Sequence, residues 1–217
     1  MAEQAVWYFD FISPFAYLQF ARMRALAGRW PITPRPVVLG AVLAHHGQLG
    51  PAEIPGKREF TYRMVQWSAD TLGIELHFPP AHPFNPLAAL RLAIAGGTRW
   101  ESIGEIFDHL WKQGHAGDSA AALEALGKRL GIVDIEPAIA AAAVKEQLRA
   151  NTEEAISRGV FGVPTLRLGN QLFWGNDATP MIEAALADPE IFRRGEYARI
   201  ATLPSAVARV RDRGQVG

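Results

Sequence analysis

The pattern of apolar and polar positions changes its period at Ser13, where a strand-like run gives way to a helical one. Residues 6–12 are apolar except for Asp10, as is typical of a buried strand, whereas the apolar positions after Pro14 recur at helical spacing. Ser13 is then the helix N-cap, and Pro14 takes the first helical position. Unpaired N–H groups and a partial positive charge at a helix N-terminus stabilise a nearby anion. The junction is therefore either an ordinary helix start or a place that can hold an anion such as a thiolate.

Strand and helix signals alternate at the start of the chain and then change character. A second strand is predicted at 35–39, after the first helix ends near Gly28, and such a strand–helix–strand unit makes a right-handed crossover with parallel strands. From residue 40 onward, β-branched runs nearly vanish and helical periodicity takes over. Helices are predicted there at 57–72, 87–95, 99–111, 119–130 and 136–157.

Strand character returns after this helical region. A β-hairpin is predicted at 162–174, because a Gly-Asn pair separates two apolar runs, and a helix follows from Thr179 to about residue 187. The order βαβ, helices, ββα indicates an α/β fold with a large inserted all-helical domain. We divide the chain into a discontinuous α/β domain at 1–39 and 158–190, an inserted helical domain at 40–157, and a basic C-terminal extension at 191–217.

Composition narrows the possible chemistry. The 22 Lys and Arg balance the 22 Asp and Glu, so no general attraction to nucleic acid or anionic membrane is expected. No apolar run is long enough for a membrane span and no export signal is visible, so a cytoplasmic protein is expected. The chain has no cysteine, which excludes disulfides, a cysteine nucleophile and redox thiol chemistry. The six histidines have no metal-ligating spacing with carboxylates, so no metal is predicted.

Five short motifs stand out along the chain: FDFISPFAYL at 9–18, PGK at 55–57, HPFN at 82–85, GVFGVPT at 159–165 and FWGND at 173–177. Together they resemble the 2-hydroxychromene-2-carboxylate isomerase family of the thioredoxin superfamily, which is related to the kappa-class glutathione transferases and to the DsbA oxidoreductases. The resemblance implies a thioredoxin-like fold, glutathione as the cofactor and an aromatic small-molecule substrate. It also implies a homodimer.

The resemblance assigns the sulfur chemistry to bound glutathione. Ser13 falls where redox members of the superfamily carry the first cysteine of Cys-x-x-Cys, so Ser13 is implied as a hydrogen-bond donor to the glutathione thiolate. Val163 and Pro164 match the superfamily's cis-proline, where the backbone of the preceding residue pairs with the cysteinyl part of glutathione. Ser13 would therefore be the catalytic residue without attacking the substrate itself.

The last motif implies that Trp174, Gly175, Asn176 and Asp177 recognise the γ-glutamyl group. Backbone N–H groups at this helix start would bind its carboxylate, and Asp177 would bind its ammonium. Asn and Asp are also common helix caps. Ala178 stands where the family usually has Arg, so one cation of the family's site is missing.

The resemblance implies three residues of the predicted insertion on the substrate side: Lys57 and Asn85, which match the family, and Gln48, which departs from it. Lys57 would bind an anionic carboxylate and Asn85 would supply hydrogen bonds, while Gln48 stands where the family has Asn. A lone lysine is also a usual surface residue, and an Asn before a proline is also a usual turn former. Both interpretations stay open for these positions.

The expected activity is that of a glutathione-dependent isomerase. It would act on an aromatic enone such as 2-hydroxychromene-2-carboxylate by reversible thiolate addition, bond rotation and elimination. A kappa-like glutathione transferase that releases a conjugate is the alternative at the same site. A non-catalytic ligand-binding or chaperone-like member is the alternative from another class.

Overall fold

The strands come from the two ends of the described chain and form one mixed sheet. In the computed structural model, which describes residues 5–206, the strands are β1 (Ala5–Phe9), β2 (Ile32–Pro36), β3 (Thr165–Leu168) and β4 (Gln171–Trp174). Their order in the sheet is β2-β1-β3-β4. β1 is parallel to β2 and antiparallel to β3, and β3 is antiparallel to β4.

Seven of the ten α-helices within the described residues lie between β2 and β3. This order confirms the predicted α/β, thioredoxin-like fold with a large all-helical insertion. The helices are α1 (Pro14–Ala27), α2 (Leu39–His45), α3 (Lys57–Leu72), α4 (Leu87–Ala95), α5 (Trp100–Phe107), α6 (Glu124–Arg129), α7 (Ile135–Ala140), α8 (Ala142–Ser157), α9 (Thr179–Ala187) and α10 (Gly195–Ile200).

β1 lies at the centre of the core, since all of its residues are buried. Successive side chains of a strand point to opposite faces of the sheet. On one face, Trp7 stacks on Phe9 and on Trp100 of α5, with ring centroids 4.7 and 5.6 Å apart. On the other face, Tyr8 packs in a second cluster that includes Ala155 of α8. The inserted helices and the sheet therefore share their core.

The second strand lies earlier than predicted, at Ile32–Pro36 instead of 35–39. Its register pairs Ala5 with Ile32, and an edge strand of this kind tolerates prolines that cannot donate a hydrogen bond. The apolar residues that predicted a later strand instead lead into α2, where Leu39 N donates to Asp10 Oδ2 at 2.8 Å. This hydrogen bond links the start of α2 to the loop that precedes Ser13.

The prediction of one long helix at 136–157 is wrong in one respect, because this segment forms two helices. α7 and α8 are separated at Ala141, whose ψ of 135° is extended. Ile139 of α7 and Leu148 of α8 are both buried. In one continuous helix they would lie about half a turn apart and could not face the same core. Two other predicted helices are also interrupted: 99–111 is α5 followed by a π-helical turn at Asp108–Lys112, and 119–130 is a 3₁₀ turn at Ala121–Leu123 followed by α6.

The helix predicted at 57–72 is confirmed as α3, but a different face of it is buried. The prediction used the helical spacing of large apolar residues, of which Phe60 is 64% exposed and Trp67 is 73% exposed. The small residues Thr61, Val65 and Ala69 pack inward instead. The periodicity predicted the helix correctly, whereas the direction of its packing depends on contacts with distant residues.

Glu154 of α8 joins that helix to the sheet. Tyr8 Oη donates to Glu154 Oε2 at 2.7 Å, and Arg35 Nη1 lies 3.0 Å from the same oxygen. Arg158 and Arg167 lie within 4.0 Å of the other carboxylate oxygen. Although burial opposes it, the hydrogen bonds from Tyr8 and Arg35 hold the pKa of Glu154 below its usual value.

Replacing Glu154 with glutamine is expected to lower the free energy of unfolding by about 1–2 kcal/mol, because a neutral amide cannot compensate the charges of the surrounding guanidinium groups. Denaturant unfolding near neutral pH measures this loss. A carboxyl with a lowered folded-state pKa stabilises the protein above its unfolded-state pKa and loses this effect as the pH falls through the folded value. The difference between wild type and variant should therefore shrink in acid.

Glu153→Gln is the matched control. Glu153 is exposed and pairs only with Arg149 among the described residues. Such a surface pair contributes about 0.5 kcal/mol or less. Equal losses for the two variants would show that Glu154 has no special role.

Candidate active site at the start of the first helix

Three separate chain segments meet at one end of the sheet. β1 ends shortly before Ser13, β3 begins directly after Pro164, and β4 ends at Trp174. Tyr8 pairs with Thr165, and Thr165 pairs in turn with Trp174. Adjacent strands thus deliver these segments side by side, and the predicted residues around them are brought together.

Ser13 caps α1 and keeps its hydroxyl proton available. Its side chain is 5% exposed, and Oγ accepts a hydrogen bond from Ala16 N at 3.3 Å. Pro14 follows at the first helical position, and the first turn of α1 contains no acidic residue. Among the described residues, the Ser13 hydroxyl has no acceptor for its own proton. The helix start therefore offers one O–H donor together with the partial positive charge of α1.

Asp10 holds the loop between β1 and Ser13 from within. Its backbone oxygen accepts from Ser13 N at 3.1 Å, Oδ1 accepts from Ile12 N at 3.1 Å and Oδ2 accepts from Leu39 N at 2.8 Å. The side chain is fully buried. Burial raises the pKa of Asp10 to about 7, and the N–H donors of Leu39, Ile12 and Phe11 oppose this rise. The loop is thus organised around a carboxyl group that titrates near neutrality.

Two side chains from the helical region hold the carbonyl groups of the same loop. Trp111 Nε1 donates to Phe11 O at 2.8 Å, and His82 Nε2 lies 2.8 Å from Ile12 O. Trp111 is fully buried. The two peptides that precede Ser13 are therefore fixed by residues far away in the sequence.

The predicted cis peptide between Val163 and Pro164 is confirmed. Both residues are buried, and Pro164 O accepts from Gly175 N at 2.9 Å. Within residues 5–206, the backbone N–H and C=O of Val163 have no hydrogen-bond partner. Buried backbone groups are usually paired, so Val163 offers a donor and an acceptor to a ligand.

Gln19 joins the turn after β4 to α1. It is fully buried, accepts from Trp7 Nε1 at 2.8 Å, and donates through Nε2 to Gly175 O at 2.9 Å. Gly175 has a φ of +96°, and a Cβ there would lie 2.4 Å from Asp177 Oδ1. The turn therefore requires glycine. Asp177 is exposed and makes no side-chain hydrogen bond or ion pair within the described part of the chain.

Trp174 lies over Gly162, the residue before Val163. Its side chain is 55% exposed, and the ring meets Phe161 edge-on with centroids 5.4 Å apart. A Cβ on Gly162 would lie 2.7 Å from Trp174 Nε1. The absence of a side chain at Gly162 thus lets the indole lie close to the backbone that precedes the cis-proline.

The three residues predicted on the substrate side are exposed and are not joined to Ser13. The side chains of Gln48 and Lys57 make no hydrogen bond or ion pair within residues 5–206. Asn85 Oδ1 accepts from Leu87 N at 3.1 Å. For Asn85 this contact supports the turn-forming alternative, because it closes a local turn that leads into α4.

Sequence reasoning missed Asp10, His82, Trp111 and Gln19 as supports of the site. Asp10 had a visible signal, since a single acid in an otherwise apolar strand must find buried donors. The HPFN motif and the histidine spacing give no support role to His82, and the helical pattern around Trp111 indicates either a core residue or part of a pocket wall. Their contacts with the Ser13 loop join residues 70 and 100 positions apart.

Residues 5–206 contain no group of three or more His, Cys, Asp or Glu side chains arranged to bind a metal ion. None of their helices is both long and apolar enough to cross a membrane.

Comparison with known proteins places the fold and the motifs in one family. Residues 5–187 match the model of the DSBA-like thioredoxin domain. The 2-hydroxychromene-2-carboxylate isomerase of Pseudomonas putida is 31% identical over 83% of this chain and 92% of that protein. Glutathione S-transferase kappa 2 of Caenorhabditis elegans is 26% identical over 84% of this chain and 91% of that protein.

Solved structures support the same relationship. A structure of a 2-hydroxychromene-2-carboxylate isomerase matches with a TM-score of 0.73 at 30% identity, over 90% of this chain and 98% of that chain. The cytosolic disulfide reductase DsbM from Pseudomonas aeruginosa has a TM-score of 0.57 at 16% identity, over 85% of this chain and 98% of that chain, and shares the fold. The chain belongs to the 2-hydroxychromene-2-carboxylate isomerase family, within the proteins that carry a DSBA-like thioredoxin domain.

Proposed function

We propose that this protein is a glutathione-dependent isomerase of an aromatic enone carboxylate such as 2-hydroxychromene-2-carboxylate. One juxtaposition carries the proposal: the Ser13 hydroxyl with an available proton lies at the same end of the sheet as the unpaired backbone of Val163, in a chain without cysteine. Family membership, and relatives named as an isomerase and as a kappa-class glutathione transferase, support the same conclusion.

The residues present fit glutathione. A buried N–H and C=O on Val163 can pair with the cysteinyl unit of a peptide as a short added strand. The exposed Asp177 can bind the γ-glutamyl ammonium, and the backbone N–H groups of Asn176 and Asp177 can bind its carboxylate. Trp174 supplies an apolar wall beside them. The family resemblance implies an arginine directly after Asp177, where this chain has Ala178, so we expect the ammonium contact to matter more here.

When bound, glutathione supplies a thiolate that adds reversibly to the carbon–carbon double bond conjugated to the substrate carbonyl, which allows rotation about that bond before the sulfur leaves again. Ser13 donates its hydroxyl proton as a hydrogen bond to the sulfur, and the start of α1 adds its partial positive charge. Both favour the charged form of the thiol over the neutral form. Ser13 thus raises the fraction of reactive sulfur without forming a bond to the substrate.

The substrate side is proposed to lie between the Ser13 loop and the helical region. Lys57 begins α3, is exposed and makes no ion pair with any residue in 5–206, so it can pair with a substrate carboxylate or with developing negative charge on the carbonyl oxygen. Gln48 and Asn85 are proposed as further polar contacts. A homodimer is also proposed.

Calorimetric titration with glutathione, followed by an assay with an aromatic enone carboxylate and mass analysis of the product, tests the function. The proposal requires binding and a product of unchanged mass with the other geometry. A product heavier by one glutathione would instead establish the transferase, which the kappa-class relative keeps as the second candidate. Absence of glutathione binding would refute both and favour a ligand-binding role.

Gly162→Ala is expected to weaken glutathione binding about tenfold, or about 1.4 kcal/mol, while unfolding stability changes little. The new methyl group would displace the half-exposed Trp174 from its place over Gly162, the residue before Val163. Calorimetry and denaturant unfolding of the same preparation measure the two effects. Gly40→Ala is the control, since a Cβ at Gly40 meets no atom within 4 Å. Unchanged affinity in Gly162→Ala would exclude Trp174 from the glutathione site.

A further inference from the structure

We propose that His82 is a positioning residue, which orients the Ser13 hydroxyl by holding the carbonyl of the Ile12–Ser13 peptide. This inference rests on the proposed function, because the group that Ser13 serves is the sulfur of glutathione. His82 Nε2 lies 2.8 Å from Ile12 O. The N–H of the same peptide, on Ser13, donates to Asp10 O at 3.1 Å. The peptide that carries Ser13 is therefore held at both of its polar ends.

The hydrogen bonds define the state of the imidazole ring. A carbonyl oxygen can only accept, so Nε2 carries a hydrogen and Nδ1 is the acceptor in the neutral ring. Tyr62 Oη lies 2.8 Å from Nδ1 and 2.7 Å from the carbonyl oxygen of His82 itself. The Tyr62 hydroxyl has one proton, which it can donate either to His82 Nδ1 or to His82 O. Tyr62 of α3 thus fixes the ring from the side opposite to Ile12.

The surroundings of His82 keep the ring in place. Phe78, Phe84 and Trp111 meet it edge-on, with ring centroids 5.4 to 6.2 Å away. Burial lowers the pKa of His82, and the positive charge of nearby Arg58 adds to this effect. A neutral ring that is enclosed on several sides keeps its place in the helical region. Its hydrogen bond to Ile12 O therefore fixes the Ser13 loop relative to that region.

The role proposed for His82 differs from that of a contact that only stabilises the fold. Trp111 holds the preceding carbonyl, that of Phe11, through a hydrogen bond of its own. Loss of the imidazole therefore frees only the peptide next to Ser13, while the rest of the loop keeps its hydrogen bonds. The expected defect lies in the direction of the Ser13 hydroxyl and not in the fold.

The test measures the ratio of thiolate to thiol of bound glutathione by ultraviolet absorbance at a fixed pH near neutrality. His82→Leu is expected to lower this ratio about threefold, which is half of a tenfold step on the logarithmic scale of acid dissociation. His82→Gln should restore most of it, because its amide N–H can reach the same carbonyl. Affinity for S-methylglutathione, which has no ionisable thiol, should stay within about twofold of wild type.

A double variant decides whether the effect passes through Ser13. If His82 acts by orienting Ser13, then His82→Leu should have no further effect on the ratio in a Ser13→Ala background. In the free protein, the amide hydrogen of Ser13 should exchange faster in His82→Leu than in wild type. If His82→Leu does not fold, Tyr62→Phe, which removes only the hydroxyl that fixes the ring, should change the ratio in the same direction.

The possible failures are distinguishable. An unchanged ratio in a folded His82→Leu or Tyr62→Phe variant, or equal effects with and without the Ser13 hydroxyl, would overturn the role of His82 and leave the proposed function standing. A wild-type protein that binds neither glutathione nor S-methylglutathione would overturn the proposed function and this inference with it.

Discussion

Ser13→Ala is expected to lower the isomerase turnover about tenfold or more, since it removes a hydrogen bond that strengthens as charge forms on the sulfur. Alanine keeps Pro14 and the start of α1, so the remaining activity would come from the partial positive charge of the helix. Turnover is measured at saturating glutathione, so that weaker binding does not contribute. The thiolate absorbance of bound glutathione should fall in parallel.

Ser119→Ala is a close control for this experiment. Ser119 Oγ accepts from Ala122 N at 3.2 Å, which is the same local contact that Ser13 makes with Ala16 at 3.3 Å. Loss of the Ser13 cap costs about 0.5–2 kcal/mol of stability, and Ser119→Ala removes a hydrogen bond of the same kind from an exposed turn. Only Ser13→Ala should reduce turnover. Unchanged turnover with saturating glutathione would mean that the hydroxyl has no part in the reaction.

Asp10→Ala is expected to lower the free energy of unfolding by about 2–4 kcal/mol, because partly buried N–H groups of Ile12 and Leu39 lose their acceptors and each such loss costs about 1–3 kcal/mol. Activity should also fall strongly, since the same carboxyl group shapes the loop that leads to Ser13. Denaturant unfolding and turnover measure the two effects. Asp188→Ala is the control: Asp188 makes a similar turn contact with Glu190 N at 3.1 Å and an ion pair with Arg194, both of them exposed to solvent. A similar stability loss at both sites would contradict the role of Asp10.

The raised pKa of Asp10 also predicts how the free energy of unfolding depends on pH. Burial raises the pKa of Asp10 from 3.8 to about 7 in the folded protein. Between these two values the folded state binds the proton more tightly than the unfolded state does, so the contribution of Asp10 to stability falls as the pH rises from about 4 to about 7. Asp10→Asn cannot titrate at this position. Its unfolding free energy, measured over the same range, should therefore vary less with pH than that of wild type, and parallel curves would refute the shift.

Local signals predicted much of this fold. The Ser-Pro pair predicted the start of α1, the Gly-Asn turn predicted the hairpin of β3 and β4, and Thr179-Pro180 predicted the start of α9. Each signal acts within a few residues of the structure that it predicts. The motif around Val163 is also local, but it predicted the cis peptide only in combination with the family resemblance.

The features that could not be predicted depend on distant contacts. Phe60 and Trp67 are spaced for a buried helix face, yet α3 packs through Val65 and Ala69 because its neighbours admit small side chains there. The break at Ala141 allows two parts of a strongly helical sequence to turn their buried residues toward the same core. Nothing near His82 in the sequence indicates that it meets the carbonyl of Ile12.

The shared aromatic core bears on how far this protein can be treated as a set of modules. Trp7 of β1 is fully buried and stacks on Trp100 of α5. Its ring centroid also lies 6.4 Å from that of Phe107, in the same helix. Removal of the helical region would expose one face of the central strand to water, and the thioredoxin-like part would lose much of its apolar contact. The helices between β2 and β3 are therefore an integral half of the folding unit, and exchange of this region with that of a relative must carry the aromatic partners of Trp7 along with it.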